Sequence, residues 1–194
     1  IQATYHLYYA RSRKHKLSEA AEVSLNKWRD LAHFVSDVVH LTIAGIDGHY
    51  ASQIVFIAED GSATSRVKRL AIMDQDGHNI RYLSDGSSIV LTPRFSPDGD
   101  EITYTEINSG RVRVILRHLV TGQQEVLETA EGTSTFSPRF SPDGRGIVYS
   151  LALNGNTDIY YMDLQTRARE RLTMDASAET SPSISPDGRK VAFE

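Results

Sequence analysis

Three hydrophobic patterns succeed one another along the chain. Over residues 1–10, Ile1, Ala3, Tyr5, Leu7 and Tyr9 alternate with Gln2, Thr4, His6 and Tyr8. A period of two predicts one strand with the odd positions buried. Leu17 to Leu25 suits helix and strand equally by propensity. From Asn26 the period lengthens. Leu31, Val35, Val38, Val39 and Thr42 fall at i, i+4, i+7, i+8 and i+11, the stripe of an amphipathic helix over about 26–44. Asn26 or Ser24 can cap its start and Gly45 can end it. Beyond Gly48 no helical stripe recurs, and short β-type runs begin with Ile54-Val55-Phe56-Ile57. Residues 1–48 therefore read as the end of an α/β domain, and residues 49–194 as an all-β domain.

The β-type runs repeat. Ile102-Thr103-Tyr104, Ile147-Val148-Tyr149 and Val191-Ala192-Phe193 each come after a Ser-Pro-Asp-Gly, at residues 96–99, 141–144 and 185–188. The copies lie 45 and then 44 residues apart. Serine, proline, a short polar residue and glycine suit a type I turn, because proline presets φ near −65°. Each copy is thus a corner between two strands. A third run comes next in every unit (Arg69–Met73, Val112–Leu116, Asp158–Met162), and then a fourth (Ile80–Leu83, Glu125–Leu127, Glu170–Leu172). Four short antiparallel strands per unit of about 45 residues is a propeller blade. The expected fold is mainly β: about three blades and the start of a fourth, preceded by the end of a small α/β domain. Phe56, Tyr104, Tyr149 and Phe193 should be equivalent, their aromatic bodies buried against neighbouring blades.

Composition narrows the chemistry. A net charge of −4 gives no electrostatic case for nucleic acid. The absence of cysteine excludes disulfides and thiolate metal sites. No apolar run approaches the roughly 20 residues that cross a bilayer. Arg11-Ser12-Arg13-Lys14-His15-Lys16 is either a binder of anions or a solvated hairpin loop, and its shortness favours the loop. His33 and His40 are seven apart without the i, i+4 spacing of metal ligands. Asp74-Gln75-Asp76-Gly77 lacks the glycine and glutamate positions of an EF-hand and reads as a hairpin turn. No nucleophile elbow, zinc-helix or phosphate-loop motif occurs. The expectation is no enzyme, with no catalytic residue, cofactor or metal.

The T/S-P-x-F-S-P-D-G corner and the Ile159-Tyr160-Tyr161-Met162-Asp163-Leu164 strand resemble the TolB-type propeller repeat, a pattern shared with other periplasmic and peptidase-associated propellers. Lys27-Trp28-Arg29-Asp30-Leu31-Ala32-His33, Ser36-Asp37, Gly45 and Gly48-His49-Tyr50 look like the helix and exit loop closing the amino-terminal domain of that family. Val67 to Gly77 looks like its first blade in alphaproteobacterial style. The likeness runs from Lys27 to Glu194, and residues 10–25 match poorly. Ala44 and Gln53 stand where the family usually has threonine and arginine. The resemblance implies a periplasmic, non-enzymatic part of the Tol–Pal envelope machinery of Gram-negative bacteria. Such proteins have a six-bladed propeller that binds the lipoprotein Pal, and through it they are peripheral to the outer membrane. Their α/β domain contacts TolA, through a segment that would precede Ile1.

The Pal-contacting positions carry over to the segment ahead of each corner: Leu91, Thr92 and Arg94; Ser134, Phe136, Ser137 and Arg139; Thr180 and Ser181. Physically, a segment that crosses from outer edge to channel brings equivalent positions together at one axial opening. Arg94 and Arg139 alternate with Phe95 and Phe140; the phenylalanines should pack between blades and leave the arginines toward the channel. The alternative is that these arginines only solvate the channel wall. A competing function is the gating propeller of a prolyl-oligopeptidase-like or tricorn-like peptidase, whose catalytic domain would lie elsewhere. Ile54-Val55-Phe56 has no corner before it, so its blade should lack an innermost strand. The expectation is a fragment of a longer protein, or a chain that pairs through open blade edges.

Overall fold

The structure, a computed structural model, describes residues 2–128 and 130–194. It divides into two compact units, residues 1–54 with 73–80, and residues 55–72 with 81–194.

In the first unit, β1 (Gln2–Tyr8) and β2 (His15–Glu22) form an antiparallel hairpin with Tyr5 opposite Glu19 and Leu7 opposite Leu17. Arg11 to Lys14 of the basic run lie exposed in its turn, as the solvated-loop reading expects, while His15 and Lys16 open β2 and the half-buried Lys16 donates Nζ to the Thr42 carbonyl. Tyr5 and Leu7 are half-buried as the alternation predicts. Tyr9 is not: it lies in the turn, 52% exposed. Ile1 lies outside the described residues, and the same is true of the Ala3 side chain.

Helix α1 spans Trp28–Ala44, two residues later than expected, because Leu25–Lys27 form a turn of 3-10 helix. Ser24 donates its hydroxyl to Asn26 Oδ1 at 2.6 Å, so neither side chain caps the backbone. Gly45 ends the helix as expected, at φ 74 with its N–H on the Leu41 carbonyl. Of the apolar stripe only Leu31 is fully buried; Val35, Val38, Val39 and Thr42 are half-buried. The chain leaving the helix is tied back to Asp37, whose carboxylate accepts the Tyr50 N–H at 2.8 Å and the Ala51 N–H at 3.1 Å. Gly48 permits this approach, since a Cβ there would collide with Asp37.

Four sheets make up the rest of the chain. The first is β3 (Gln53–Ser62), β4 (Ser65–Asp74) and β5 (Arg81–Tyr82). The second is β6 (Ile89–Phe95), β7 (Glu101–Asn108), β8 (Arg111–His118) and β9 (Gln124–Val126). The third is β10 (Ser134–Phe140), β11 (Gly146–Leu153), β12 (Asn156–Asp163) and β13 (Arg169–Arg171). The last pairs β14 (Ser183–Ile184) with β15 (Val191–Ala192). The first sheet has no strand corresponding to β6 among the described residues, as the missing corner predicts.

The core lies between sheets. Ile102 and Tyr104 of β7 pack with Leu70 of the first sheet, and Ile147, Tyr149 and Leu151 of β11 pack with Val114, Leu116 and Leu127 of the second. Each fully buried side chain of this kind contributes about 1.5–3 kcal/mol. Tyr104 and Tyr149 are equivalent as expected, at 2% and 0% exposure. Phe56 is half-buried and Phe193, just after β15, is 46% exposed, so full burial does not extend to them. Both tyrosine hydroxyls are raised to about 12, chiefly by burial. Their surroundings differ at one position. Arg117 stands opposite Ile102 and donates Nη1 to the Leu83 carbonyl at 2.6 Å, whereas Met162 stands opposite Ile147, and the buried Tyr149 hydroxyl has no partner among the described residues.

The three corners are superposable in chemistry. At Ser141 the hydroxyl donates to Asp143 Oδ1 at 2.6 Å and accepts the Gly146 N–H at 2.9 Å, while Gly144 N–H bonds the Ser141 carbonyl. Ser96 and Ser185 repeat these bonds with Asp98, Glu101 and Gly99, and with Asp187, Lys190 and Gly188. The corner glycines sit at φ 71 to 81, where a side chain would be strained. Pro97 of one corner lies beside Gly144 of the next.

Urea unfolding checks both the corner and the core. Ser141→Ala leaves the buried Gly146 amide unpaired and should cost about 1–3 kcal/mol. Tyr149→Phe removes a buried hydroxyl that has no partner among the described residues and should leave the midpoint unchanged or higher. A clearly lower midpoint would contradict the packing described.

Candidate partner-binding face

The segments ahead of the corners are built alike. In β6, Leu91 pairs with Thr105 and Arg94 with Thr103, so Thr92 and Pro93 together face Tyr104 alone. In β10, Phe136 pairs with Ser150 and Arg139 with Val148, so Ser137 and Pro138 face Tyr149. Each strand is bulged at the residue before its proline. That residue is left-handed in all three copies: Thr92 at φ 50, Ser137 at φ 53 and Ser181 at φ 55. Such a conformation is an outlier for β-branched threonine, and it costs on the order of 1–3 kcal/mol. The prolines themselves are buried.

The bulge re-aims the side chains after it. Phe95 and Phe140 pack into the two inter-sheet cores, as the alternation predicts. Arg94 and Arg139 do not. Each folds back so that Nη1 donates to the carbonyl of the proline before it, at 2.9 and 2.8 Å. Neither has a carboxylate partner among the described residues. Arg139 is half-buried, and desolvation, then the nearby Arg94 charge, lowers its pKa below the usual arginine value. In the third copy the corresponding residue is Ser183.

Thr105 joins two of these segments. Its hydroxyl lies 3.1 Å from Thr92 Oγ1 in its own sheet and accepts the Ser137 N–H of the next at 3.2 Å. Leu91, Phe136 and Thr180 hold the position before each bulge and are half-buried. Thr180 is fixed by two backbone bonds with Glu194. Ser134 stands apart: it begins β10 opposite Ala152, at the end remote from the corner, beside Gly110, Arg111 and Arg113.

A second constellation lies in the first unit. The turn Asp74–Gly77 forms as expected, with Gly77 N–H on the Asp74 carbonyl. Its Asp76 carboxylate also accepts Arg29 Nη2 at 2.6 Å and lies 3.3 Å from His33 Nε2, both on α1. These bonds hold its pKa well below the usual carboxylate range, with Arg29 the largest cause. Sequence reasoning assigns Asp76 to a turn and misses its hold on the helix; Arg29 and Asp76 are 47 residues apart with no motif linking them. Thr105 is likewise unmarked in the sequence, being one more alternating strand residue.

Tandem antiparallel sheets, each packed on the one before and entered through a bulged strand and a Ser-Pro-Asp-Gly corner, define a β-propeller protein. The family model described as the TolB beta propeller domain matches residues 40–194, and the chain belongs to that family. It is 47% identical over 159 residues to the Tol-Pal system protein TolB of Dinoroseobacter shibae, covering 81% of this chain and 36% of that one. Among solved structures it is similar to TolB from Acinetobacter baumannii, with a TM-score of 0.80 at 25% identity, over 99% of this chain and 59% of that one. A putative TolB from Agrobacterium tumefaciens gives 0.60 at 25% identity, over 72% and 49%. The chain thus spans about a third of the length of the curated relative. Propellers below 25% identity, the tricorn protease among them, share the fold alone.

Two outcomes test this geometry. Thr105→Val removes the acceptor of the Ser137 amide and should cost about 1–2 kcal/mol in urea unfolding. Ser150→Ala, at the corresponding position of β11 where the buried hydroxyl has no partner among the described residues, should cost far less. Asp76 has a lowered folded pKa, so its contribution is present above the unfolded value of about 4 and is lost as pH falls through the folded one. Emission of Trp28, the single tryptophan, stacked beside Arg29 at 4.9 Å, should show a transition in acid stronger than pH 4. In Asp76→Asn it should differ from the parent already at neutral pH.

Proposed function

We propose that the chain is part of a periplasmic, non-enzymatic component of the Tol–Pal system, with residues 1–48 ending an α/β amino-terminal domain and 49–194 forming part of a six-bladed propeller. The face carrying Leu91, Thr92, Arg94, Ser134, Phe136, Ser137, Arg139, Thr180 and Ser181 binds the lipoprotein Pal. The amino-terminal domain contacts TolA, and the assembly supports outer-membrane integrity and cell division. Kinship supports this reading, because the relative from Dinoroseobacter shibae is a Tol-Pal system protein TolB.

The observation that carries the choice of face is the repeated left-handed residue before proline. Three blades keep an unfavourable backbone in register at Thr92, Ser137 and Ser181. Strain held at equivalent positions points to a surface shaped for use. No helix among the described residues is long and apolar enough to cross a membrane, and attachment through a lipoprotein is compatible with that.

Calorimetry with the soluble domain of Pal tests the reading. Arg139→Glu should weaken binding about tenfold or more, as expected for loss of a charge-assisted contact. Its unfolding midpoint should match the parent, because among the described residues the only hydrogen bond of the guanidinium is to its own neighbour, Pro138. Gln123→Glu, in an exposed outer turn, should alter neither. Unchanged affinity of Arg139→Glu would remove that residue from the site.

A further inference from the structure

We propose that Thr105 is a positioning residue of the partner-binding face. Its buried hydroxyl turns the Thr92 hydroxyl outward, and Thr92 donates its proton to an oxygen acceptor, a carbonyl or a carboxylate, of a protein partner. This rests on the reading of the bulged segments as the partner-binding face, and it gives that face a hydrogen-bond direction.

A threonine hydroxyl has one proton to donate and two lone pairs with which to accept. Thr105 is 3% exposed, and its oxygen accepts the Ser137 N–H at 3.2 Å. Its single proton needs an acceptor, because a buried hydroxyl without one has lost its hydrogen bond to water for nothing. Among the described residues the oxygen within reach is Thr92 Oγ1, at 3.1 Å. Thr105 therefore donates to Thr92, and not the reverse. The proton of Thr92 is then left without a partner among the described residues. Thr92 is exposed, so that proton is open to solvent or to a bound partner. Each bond in the series from Ser137 N–H through Thr105 to Thr92 polarises the next, which makes the last proton a better donor.

The arrangement belongs to one blade. Ser137 has the same left-handed backbone as Thr92, but Ser150 stands in β11 where Thr105 stands in β7. The Ser150 hydroxyl is buried with no partner among the described residues, so it directs nothing. The β-methyl of Thr105 restricts its rotamer, a restriction that serine lacks. The face thus presents one oriented donor and not a row of equivalent ones. A protein partner suits it, because Leu91, next to Thr92, leaves half-buried apolar surface for a peptide to cover.

Two measurements on the full chain test this. Long-range proton–carbon NMR reads the hydroxyl protons: that of Thr105 should exchange slowly with water, and that of Thr92 should be lost to fast exchange. A protected Thr92 proton would reverse the direction and overturn the proposal. Calorimetry with the soluble domain of Pal supplies the second arm. Thr92→Val and Thr105→Val should each bind about three- to tenfold more weakly, as for one hydrogen bond. Because Thr105 acts through Thr92, the double variant should bind less weakly than the product of the two losses. Losses that simply multiply would overturn the positioning role. Ile72→Val, a truncation in the core of the first sheet, should lower the unfolding midpoint and keep the parent affinity. A loss there as large as that of Thr105→Val would assign the effect to instability and overturn the role. A Thr92→Val loss that shrinks with added salt identifies the acceptor as a carboxylate, and an unchanged loss identifies a carbonyl. Parent-like binding by Thr92→Val would overturn the donor and leave the partner reading intact. No binding of Pal by the parent, with the hydroxyl signals as expected, would remove the partner reading and leave the oriented donor standing.

Discussion

One serine hydroxyl at each corner governs the register of the repeated sheets. It accepts the amide that opens the second strand and donates to the aspartate two residues on, so a corner of four residues has no free choice of geometry. If the turn were looser, the second strand could slip by one residue and send its apolar set to the wrong face. Tyr149 would then leave the core it now fills. Successive corners also lie near one another, Pro97 beside Gly144 and Pro142 beside Gly188.

With the register fixed, the bulged segments can tolerate local strain. A residue before proline normally avoids compact conformations, and a threonine at positive φ is rarer still. The inter-sheet cores stabilise the structure enough to hold three such residues. Thr105 adds a direct link between two of the segments, coupling the position of Ser137 to that of Thr92. The arginines after the bulges owe their setting to this framework and not to any ion pair of their own.

Much of this architecture is legible in the sequence because it repeats. The corner tetrapeptides, the equivalence of Tyr104 and Tyr149, the packing of Phe95 and Phe140 and the missing first strand before Ile54 all emerge from aligning the chain on itself. Contacts made only once are beyond the reach of repetition. The Arg29–Asp76 bond joins residues of no shared pattern. The replacement of Arg117 by Met162 is visible in the sequence, but its effect depends on which residue stands opposite. The start of α1 is later than the periodicity suggests because Ser24 bonds Asn26, a local competition that propensity does not weigh. The positions of the binding face come from family resemblance; the backbone shows that Thr92, Ser137 and Ser181 share one unusual conformation and that Ser134 lies apart from them.

The segments that cross from one sheet to the next are not of equal length. Leu83 to Val90 and Leu172 to Glu179 take seven steps, but Leu127 to Thr135 takes eight. The matching amides of the third strands are served accordingly. Leu70 and Ile159 donate to Ser84 and Thr173 in the crossing segments, whereas Val114 donates to Thr135, already in the next sheet. One inserted residue has turned an internal tie into a rivet between neighbours. Sheets two and three are therefore joined by a backbone amide that the other two crossings keep within a single blade.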